Sequence, residues 1–384
     1  MLEEFRVENF LSWIDLSFKP KDINLLIGLN NSGKSNLCNA LRFVSHAATR
    51  TFNTILKHFY LDPYTITNFS YNKPTVDFSL KVKIPFKGVE ETYEYKLSIS
   101  TPTQFSTTPQ IVVEHERLTH ITGGSKDRIL LDNSGKNVQL LNEPESSFYS
   151  FSSPSDSTML FRVYDDKNNH PRAINFRNFL AFLLYYDLSQ IGLRNNKYTT
   201  NEIWIHPDGS NLSSVIFNLK KSNERAYRKI LKILELIEPE IEVLDFAGGE
   251  TESYITMYFT YKSGDKMPAW RASNGTLRLL ALSYILTVQP SSFLIIEEPE
   301  NGIYVGYLKK LLALINENNN IQQVLFTSHS PYFIDLFDNK LENVFVTNRD
   351  KYRSILSNID IVKAQQNLKD FSLGEQHFRE LLTK

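Results

Sequence analysis

The sequence predicts an α/β fold: a mixed sheet with helices on its faces, carrying a β-rich and a helical inserted lobe. Three observations predict it. An apolar strand, Ile23 to Ile27, runs into a glycine-bounded turn, Gly28 to Ser35, and then into a helix. From Arg271 onward, helices and apolar strands alternate, as they do in a parallel sheet with crossover helices. Between these two parts lie segments enriched in Thr, Val, Tyr and Ile, the residues that suit a pleated surface.

Residues 1–28 alternate as strands at Phe5 to Phe10, Ile14 to Phe18 and Ile23 to Ile27. The last is continuously apolar, as in a strand buried on both faces. Asn36 to Ala48 reads as a helix with Leu37, Ala40, Leu41 and Val44 on one face. Thr75 to Ile84, Thr92 to Ile99 and Gln110 to Leu118 read as strands. The Ser-, Pro-, Asn- and Gly-rich intervals, notably Asn142 to Thr158, read as surface loops. Arg172 to Leu188 and Ser213 to Ile237 read as helices. Strands follow at Ile241 to Phe246 and Tyr254 to Tyr261. Then come a helix (Leu277 to Val288), a strand (Phe293 to Glu297), a helix (Tyr304 to Asn316), a strand (Gln323 to Thr327) and a short helix after Pro331. The expected organisation is a core of residues 1–48 and 271–384, a β-rich part at 49–170 and a helical lobe at 171–270.

The chain of 384 residues is 41% hydrophobic and 22% charged, enough to bury a sizeable core. Lys+Arg 42 against Asp+Glu 43 leaves a net charge of -1, which excludes a generally basic nucleic-acid binder but not a local basic patch. Lys220, Lys221, Arg225, Arg228, Lys229 and Lys232 form such a patch on the 213–237 helix. It reads either as a solvated helix face or as a surface for DNA or another anion. Cys38 is the one cysteine, so no intrachain disulfide exists, and a reducing, cytoplasmic compartment is expected. Met1-Leu2-Glu3-Glu4 has neither the basic start nor the apolar run of a signal peptide. The longest apolar stretches fall short of the about 18 residues that cross a bilayer, so no membrane role is expected.

Four segments carry chemistry. Gly28-Leu29-Asn30-Asn31-Ser32-Gly33-Lys34-Ser35 matches the phosphate-loop pattern in full. Its glycines let backbone N–H groups turn around phosphates, Lys34 reaches the β- and γ-phosphates, and the Ser35 hydroxyl suits Mg²⁺. Asn30, Asn31, Ser32, Gly33, Lys34, Ser35 and Asn36 are thus the candidate nucleotide contacts. The strand Phe293 to Glu297 ends in two carboxylates, Glu297 and Glu298. They read as a charged strand end, or as a Mg²⁺ ligand and an orienting base for water. Thr327-Ser328-His329-Ser330-Pro331 empties a second buried strand into a polar loop, where His329 reads as a structural histidine or as a contact to a γ-phosphate. Ser273, Asn274 and Gly275 open a further helix, either as plain N-caps or as a phosphate-binding end.

As a set, these segments resemble the RecF/SMC-like branch of ABC-type ATPases, in particular compact bacterial AAA-family ATPases. The resemblance starts at Val7-Glu8-Asn9-Phe10-Leu11-Ser12-Trp13 and passes through the phosphate loop. It resumes at Asn211-Leu212-Ser213-Ser214-Val215 and Ser273-Asn274-Gly275-Thr276-Leu277-Arg278-Leu279-Leu280, then Glu297-Glu298-Pro299-Glu300-Asn301-Gly302. It closes on Ser372-Leu373-Gly374-Glu375. It implies a P-loop NTPase of head type with ATP and Mg²⁺ as cofactors. Lys34 and Ser35 would bind phosphates and Mg²⁺, Glu297 would support Mg²⁺, Glu298 would be the general base and His329 the γ-phosphate sensor. Ser273, Asn274 and Gly275 would form the signature loop, which in this superfamily caps the nucleotide of a second subunit. A homodimer or higher homo-oligomer built on an ATP sandwich follows. Gln104 and Gln110 are the candidates for a glutamine loop. Between Lys34 and Glu297 no sustained heptads occur, so a head with a compact lobe is expected rather than a long coiled-coil arm. Heads of this resemblance sit in bacterial anti-phage systems beside an effector or nuclease, and no nuclease motif is visible here. Two function classes follow: an ATPase that controls a partner effector or acts in DNA metabolism, or an ATP-gated scaffold with little turnover.

Overall fold

The protein is described from a computed structural model, which covers residues 1–102, 110–124, 126–154, 156–163, 166–194, 201–248, 254–318 and 320–382. The chain has a mixed α/β architecture and divides into two compact units. One comprises Met1–Leu184, Lys340–Ala364 and Leu381–Lys384, the other Tyr185–Asn339 and Gln365–Glu380.

The first unit is built on an eight-stranded antiparallel sheet. Its spatial order is Trp13–Phe18, Leu2–Phe10, Thr75–Phe86, Val89–Ser100, Val112–Ile121, Arg128–Asn133, Asn137–Asn142 and Ser147–Ser152. The long strand Thr75–Phe86 shows why: Val76, Phe78, Leu80, Val82 and Ile84 alternate inward with a period of two. Pairing places Phe78 opposite Leu97 and Leu80 opposite Tyr95. The apolar face of the helix Lys34–Ala47 covers this core. Phe43 from that helix stacks on Phe78 with ring centroids 5.4 Å apart, and Phe10 meets Phe78 edge-on at 5.6 Å. The same unit holds the parallel pair Ile23–Gly28 and Val344–Asp350, with Gly28 opposite Thr347, and the strand Arg353–Asn358 antiparallel to the latter.

The second unit centres on the helix Asn274–Val288, which is buried at Thr276 through Leu286 without an amphipathic stripe, as a helix packed on all sides must be. It also holds the parallel pair Phe293–Glu297 and Val324–Ser328, whose register sets Glu297 beside Thr327. A three-stranded antiparallel sheet follows the order Ile241–Gly248, Ile255–Tyr261, Lys266–Pro268.

Four elements differ from expectation. The interval Asn142 to Thr158, read as loop, contains the strand Ser147–Ser152. All six of its residues are exposed at the sheet edge, so it lacks the alternation of a half-buried strand. The helix expected over Arg172 to Leu188 ends at Ala181, and Leu183–Tyr186 is a strand, because an all-apolar run fits either element. The helix expected over Ser213 to Ile237 is two helices, Leu212–Ser222 and Glu224–Glu235. They are separated by Asn223, whose side chain accepts from Ala226 N at 3.1 Å and starts the second. The helix Phe52–Phe59 interrupts the part expected to be β-rich.

Candidate functional site

In the first unit the strand Ile23–Gly28 is buried at all six positions and delivers the chain to the loop. Gly28 has φ 154°, and a Cβ there would lie 2.3 Å from both the carbonyl oxygen and Oγ1 of Thr347, so only glycine lets the two strands approach this closely. Asn31 takes the left-handed conformation at φ 65°. Ser32 Oγ lies 2.5 Å from Thr347 Oγ1, which donates to the Ile27 carbonyl at 3.1 Å. Lys34 is 7% exposed, and its Nζ donates to the carbonyls of Gly28 at 2.9 Å and Leu29 at 3.1 Å. The ammonium is thus curled back over the loop it serves.

The 14-residue helix behind Lys34 is capped by Gly33, which offers no side chain, and its first turn holds no acidic residue. The positive end of the helix therefore carries no side-chain cap and no acidic residue, which suits an external anion. Ser35 is exposed beside Lys34, and Asn30 and Asn31 are exposed on the loop. Asn36 points elsewhere: its Nδ2 donates to Ser12 Oγ at 2.8 Å, which also accepts from Ser354 Oγ at 2.7 Å. Arg349 donates to the Asn31 carbonyl at 3.3 Å. Thr347, Ser12, Ser354 and Arg349 support the loop; of these only Ser12 lies in a run the sequence singles out, Val7 to Trp13.

In the second unit, Glu297 ends its strand beside Thr327, and His329 follows two residues beyond Thr327, half-buried. The parallel register thus brings Glu297, Glu298 and the His329 loop to the same strand ends. Glu298 is left-handed at φ 44°, a conformation that costs a non-glycine residue about 1–2 kcal/mol. The turn holds it there. Its N–H donates to the Thr327 carbonyl at 3.0 Å, and its carbonyl accepts from Asn301 N at 3.1 Å. Its carboxylate Oε2 accepts from Asn301 Nδ2 at 2.5 Å. Glu300 accepts from Ser328 Oγ at 2.5 Å, and Ser328 Oγ in turn accepts from Ser330 N at 3.0 Å. Burial pushes the Glu300 carboxyl above the usual carboxylate range.

Ser273 is an N-cap: its Oγ accepts from Thr276 N at 3.1 Å and lies 2.8 Å from Thr276 Oγ1. Arg194 Nε and Nη2 both donate to Asn274 Oδ1, at 3.0 and 2.7 Å. A Cβ on Gly275 would lie 2.3 Å from the Gly302 carbonyl oxygen, so this loop rests directly on the turn that carries Glu298. The 15-residue helix it opens has no acidic residue in its first turn.

The basic patch is partly spent within the chain. Lys220 donates to the Leu244 carbonyl at 2.8 Å, and Arg228 pairs with Glu224 at 2.6 Å. Gln110 is exposed, and Gln104 lies outside the described residues. Among the described residues there is no cluster of three or more His, Cys, Asp or Glu, and no helix is long and apolar enough to cross a membrane.

Residues 23–335 match the family described as "AAA domain, putative AbiEii toxin, Type IV TA system". Among solved structures, the chain is similar to "the SmcHead bound to the C-winged helix domain of ScpA", with a TM-score of 0.57 and 12% identity over 95% of this chain and 99% of that one. It is also similar to the Smc head domain with an extended coiled coil bound to the C-terminal domain of ScpA from Pyrococcus furiosus. There the TM-score is 0.53 with 11% identity over 96% and 98% of the chains. At these identities the likeness is one of fold: a P-loop NTPase head of SMC type. No curated protein matches.

Proposed function

We propose, because the chain belongs to this family of AAA domains over residues 23–335, that it is an ATPase. It would bind ATP with Mg²⁺ and convert ATP and water to ADP and phosphate. The observation that carries the reading is the Lys34 ammonium, held over an uncapped 14-residue helix N-terminus by the Gly28 and Leu29 carbonyls. A phosphate chain replaces both carbonyls with stronger acceptors and meets the helix N–H groups at once.

Lys34 offsets the charge of the phosphates. The Ser35 hydroxyl and the Glu297 carboxylate would be the hard oxygen donors for Mg²⁺, an ion that takes few protein ligands and keeps its remaining positions for water and phosphate. The ion, when bound, would neutralise charge on the β- and γ-phosphates. Glu298 accepts the proton of the attacking water, while Asn301 steadies the same carboxylate. His329 contacts the γ-phosphate. The Ser273–Gly275 loop caps the nucleotide of a second copy, so the working unit is a homodimer. The two solved structures named above are each bound to a domain of ScpA, and by analogy a partner protein, an effector or nuclease, is proposed for this head, with anti-phage defence as its setting. DNA contact would fall to the basic face that carries Lys220, Lys221, Arg225, Arg228, Lys229 and Lys232.

One observation favours the second reading, an ATP-gated scaffold with little turnover: the 2.5 Å bond from Asn301 holds the carboxylate that must take the proton. Steady-state ATP turnover, alone and with DNA or a partner from the same operon, tests both. Release of phosphate that depends on Glu298 supports the ATPase. ATP binding without turnover under every condition supports the scaffold.

A further inference from the structure

Arg278 lies one turn into the helix that Ser273 opens and is 7% exposed. Its Nη1 donates to the Asn301 carbonyl at 3.1 Å, and its Nε is buried without a hydrogen-bond partner among the described residues. A guanidinium has five donors, and buried donors are ordinarily all satisfied. Burial disfavours its charged form, and the charges of Asp187, Glu300 and Glu298 act against that. Beside it is a cavity of about 410 Å³, lined by Asp187, Gln190, Asn274, Arg278, Asn301 and Gly302. Arg278 and Asp187 thus line the same cavity.

Asn301 links Arg278 to Glu298. Its carbonyl receives Arg278, and its side chain donates to Glu298 Oε2 at 2.5 Å. A second contact joins the same two elements, since the Gly275 Cα sits against the Gly302 carbonyl too closely for any side chain. Movement of the Ser273–Gly275 loop must therefore move the 298–302 turn or break its bond to Arg278.

We propose that Arg278 is a positioning residue: through Asn301 it makes the placement of the Glu298 carboxylate depend on the position of the Ser273–Gly275 loop. The proposal rests on the reading of Glu298 as the general base. If the loop caps a second chain's nucleotide, Arg278 carries the occupancy of that site to the base of its own chain. This is linkage through one buried turn.

The test uses Arg278→Met, Arg278→Lys and Asn301→Ala in the full chain, each alone and with Glu298→Gln. Nucleotide-binding titrations and steady-state phosphate release are measured. Arg278→Met and Asn301→Ala should keep ATP affinity within about twofold and lower kcat by about tenfold or more, with KM nearly unchanged. Arg278→Lys should recover part of kcat, because the Asn301 carbonyl needs one donor. Added to Glu298→Gln, neither change should lower the residual rate further. Asn301 is exposed, so Asn301→Ala tests the link even if Arg278→Met does not fold. Wild-type kcat in both Arg278→Met and Asn301→Ala overturns the proposal. So does a further drop of the same size in the Glu298→Gln background, because Arg278 then acts elsewhere. Wild-type turnover by Glu298→Gln alone overturns the assignment of the base itself, and this proposal with it.

Discussion

Thr347 Oγ1 and Ser32 Oγ lie 2.5 Å apart, joining residues separated by 315 positions in the chain. The hydroxyl also donates to the Ile27 carbonyl, and Gly28 has no room for a side chain against it. One buried threonine thus fixes the end of the strand and the middle of the phosphate loop together. Thr347→Val keeps the shape and removes both bonds. It should cost about 1–3 kcal/mol of stability, because Ser32 and the Ile27 carbonyl lose a partner in a buried place. It should also weaken nucleotide binding while Lys34 is intact. Thermal melts and an ADP titration check both effects, and unchanged affinity would remove Thr347 from the loop's support.

Lys34→Ala should abolish ATP binding. The substitution removes the ammonium held at the loop and leaves the Gly28 and Leu29 carbonyls, which repel phosphate. A titration with unchanged affinity would sink the phosphate-loop assignment.

Glu298→Gln should retain ATP binding and lower turnover by about 10²–10⁴, the usual range for a lost general base. The amide oxygen still accepts from Asn301, so the left-handed turn should survive. Glu297→Gln should instead weaken binding that depends on Mg²⁺. Turnover by Glu298→Gln at the wild-type rate would exclude it as the base.

The parts legible in the sequence are those whose residues are contiguous. Lys34, Glu297, Glu298 and His329 each sit in a run where an apolar strand empties into polar residues, and that pattern is local. Thr347 and Ser354 are small polar residues hundreds of positions from the loop on strands without a motif, so only folding brings them to it. Glu300, Asn301 and Arg278 adjoin readable motifs. Their roles come from the left-handed backbone at Glu298, which no side chain announces. The break at Asn223 was legible in principle, since Asn followed by Glu is a helix start, but the apolar spacing on both sides concealed it.

His46 gives a stability signal at acid pH. Burial, with Arg50 next, lowers its pKa from 6.5 to about 3, and its ring lies 4.9 Å from His58 and 5.3 Å from Phe59. A histidine depressed in the fold is protonated first in the unfolded chain. Its contribution is present above pH 6.5 and is lost as pH falls toward 3. By pH 5 the loss is at most about 2 kcal/mol. His46→Phe keeps the ring packing and should flatten the fall in stability between pH 7 and 5. His58, His120 and the Met1 amino group, which burial also depresses, are among the groups that keep part of the slope. Denaturant midpoints across that range give the answer, and an unchanged slope would show that His46 titrates normally.

Assembly is tested by mixing two inactive variants, Lys34→Ala and Ser273→Arg. The Ser273 hydroxyl caps its own helix, so its replacement costs about 1 kcal/mol whatever else it does. The helix should tolerate that, because it is buried from Thr276 to Leu286. If each nucleotide is held by the phosphate loop of one chain and the Ser273 loop of the other, a mixed dimer has one site with both defects and one with neither. Random pairing at equal amounts makes half of the dimers mixed, so about one quarter of all sites are intact. The mixture should recover about that share of wild-type turnover, and ATP should tighten the dimer more than ADP, because only ATP offers a γ-phosphate to the second chain. Ser273→Ala in the same mixture separates the charge and bulk of arginine from the loss of the cap. No recovery, with mixed dimers shown to form by differential tagging, would mean that Ser273 serves its own chain, and the two-fold sandwich would have to be abandoned.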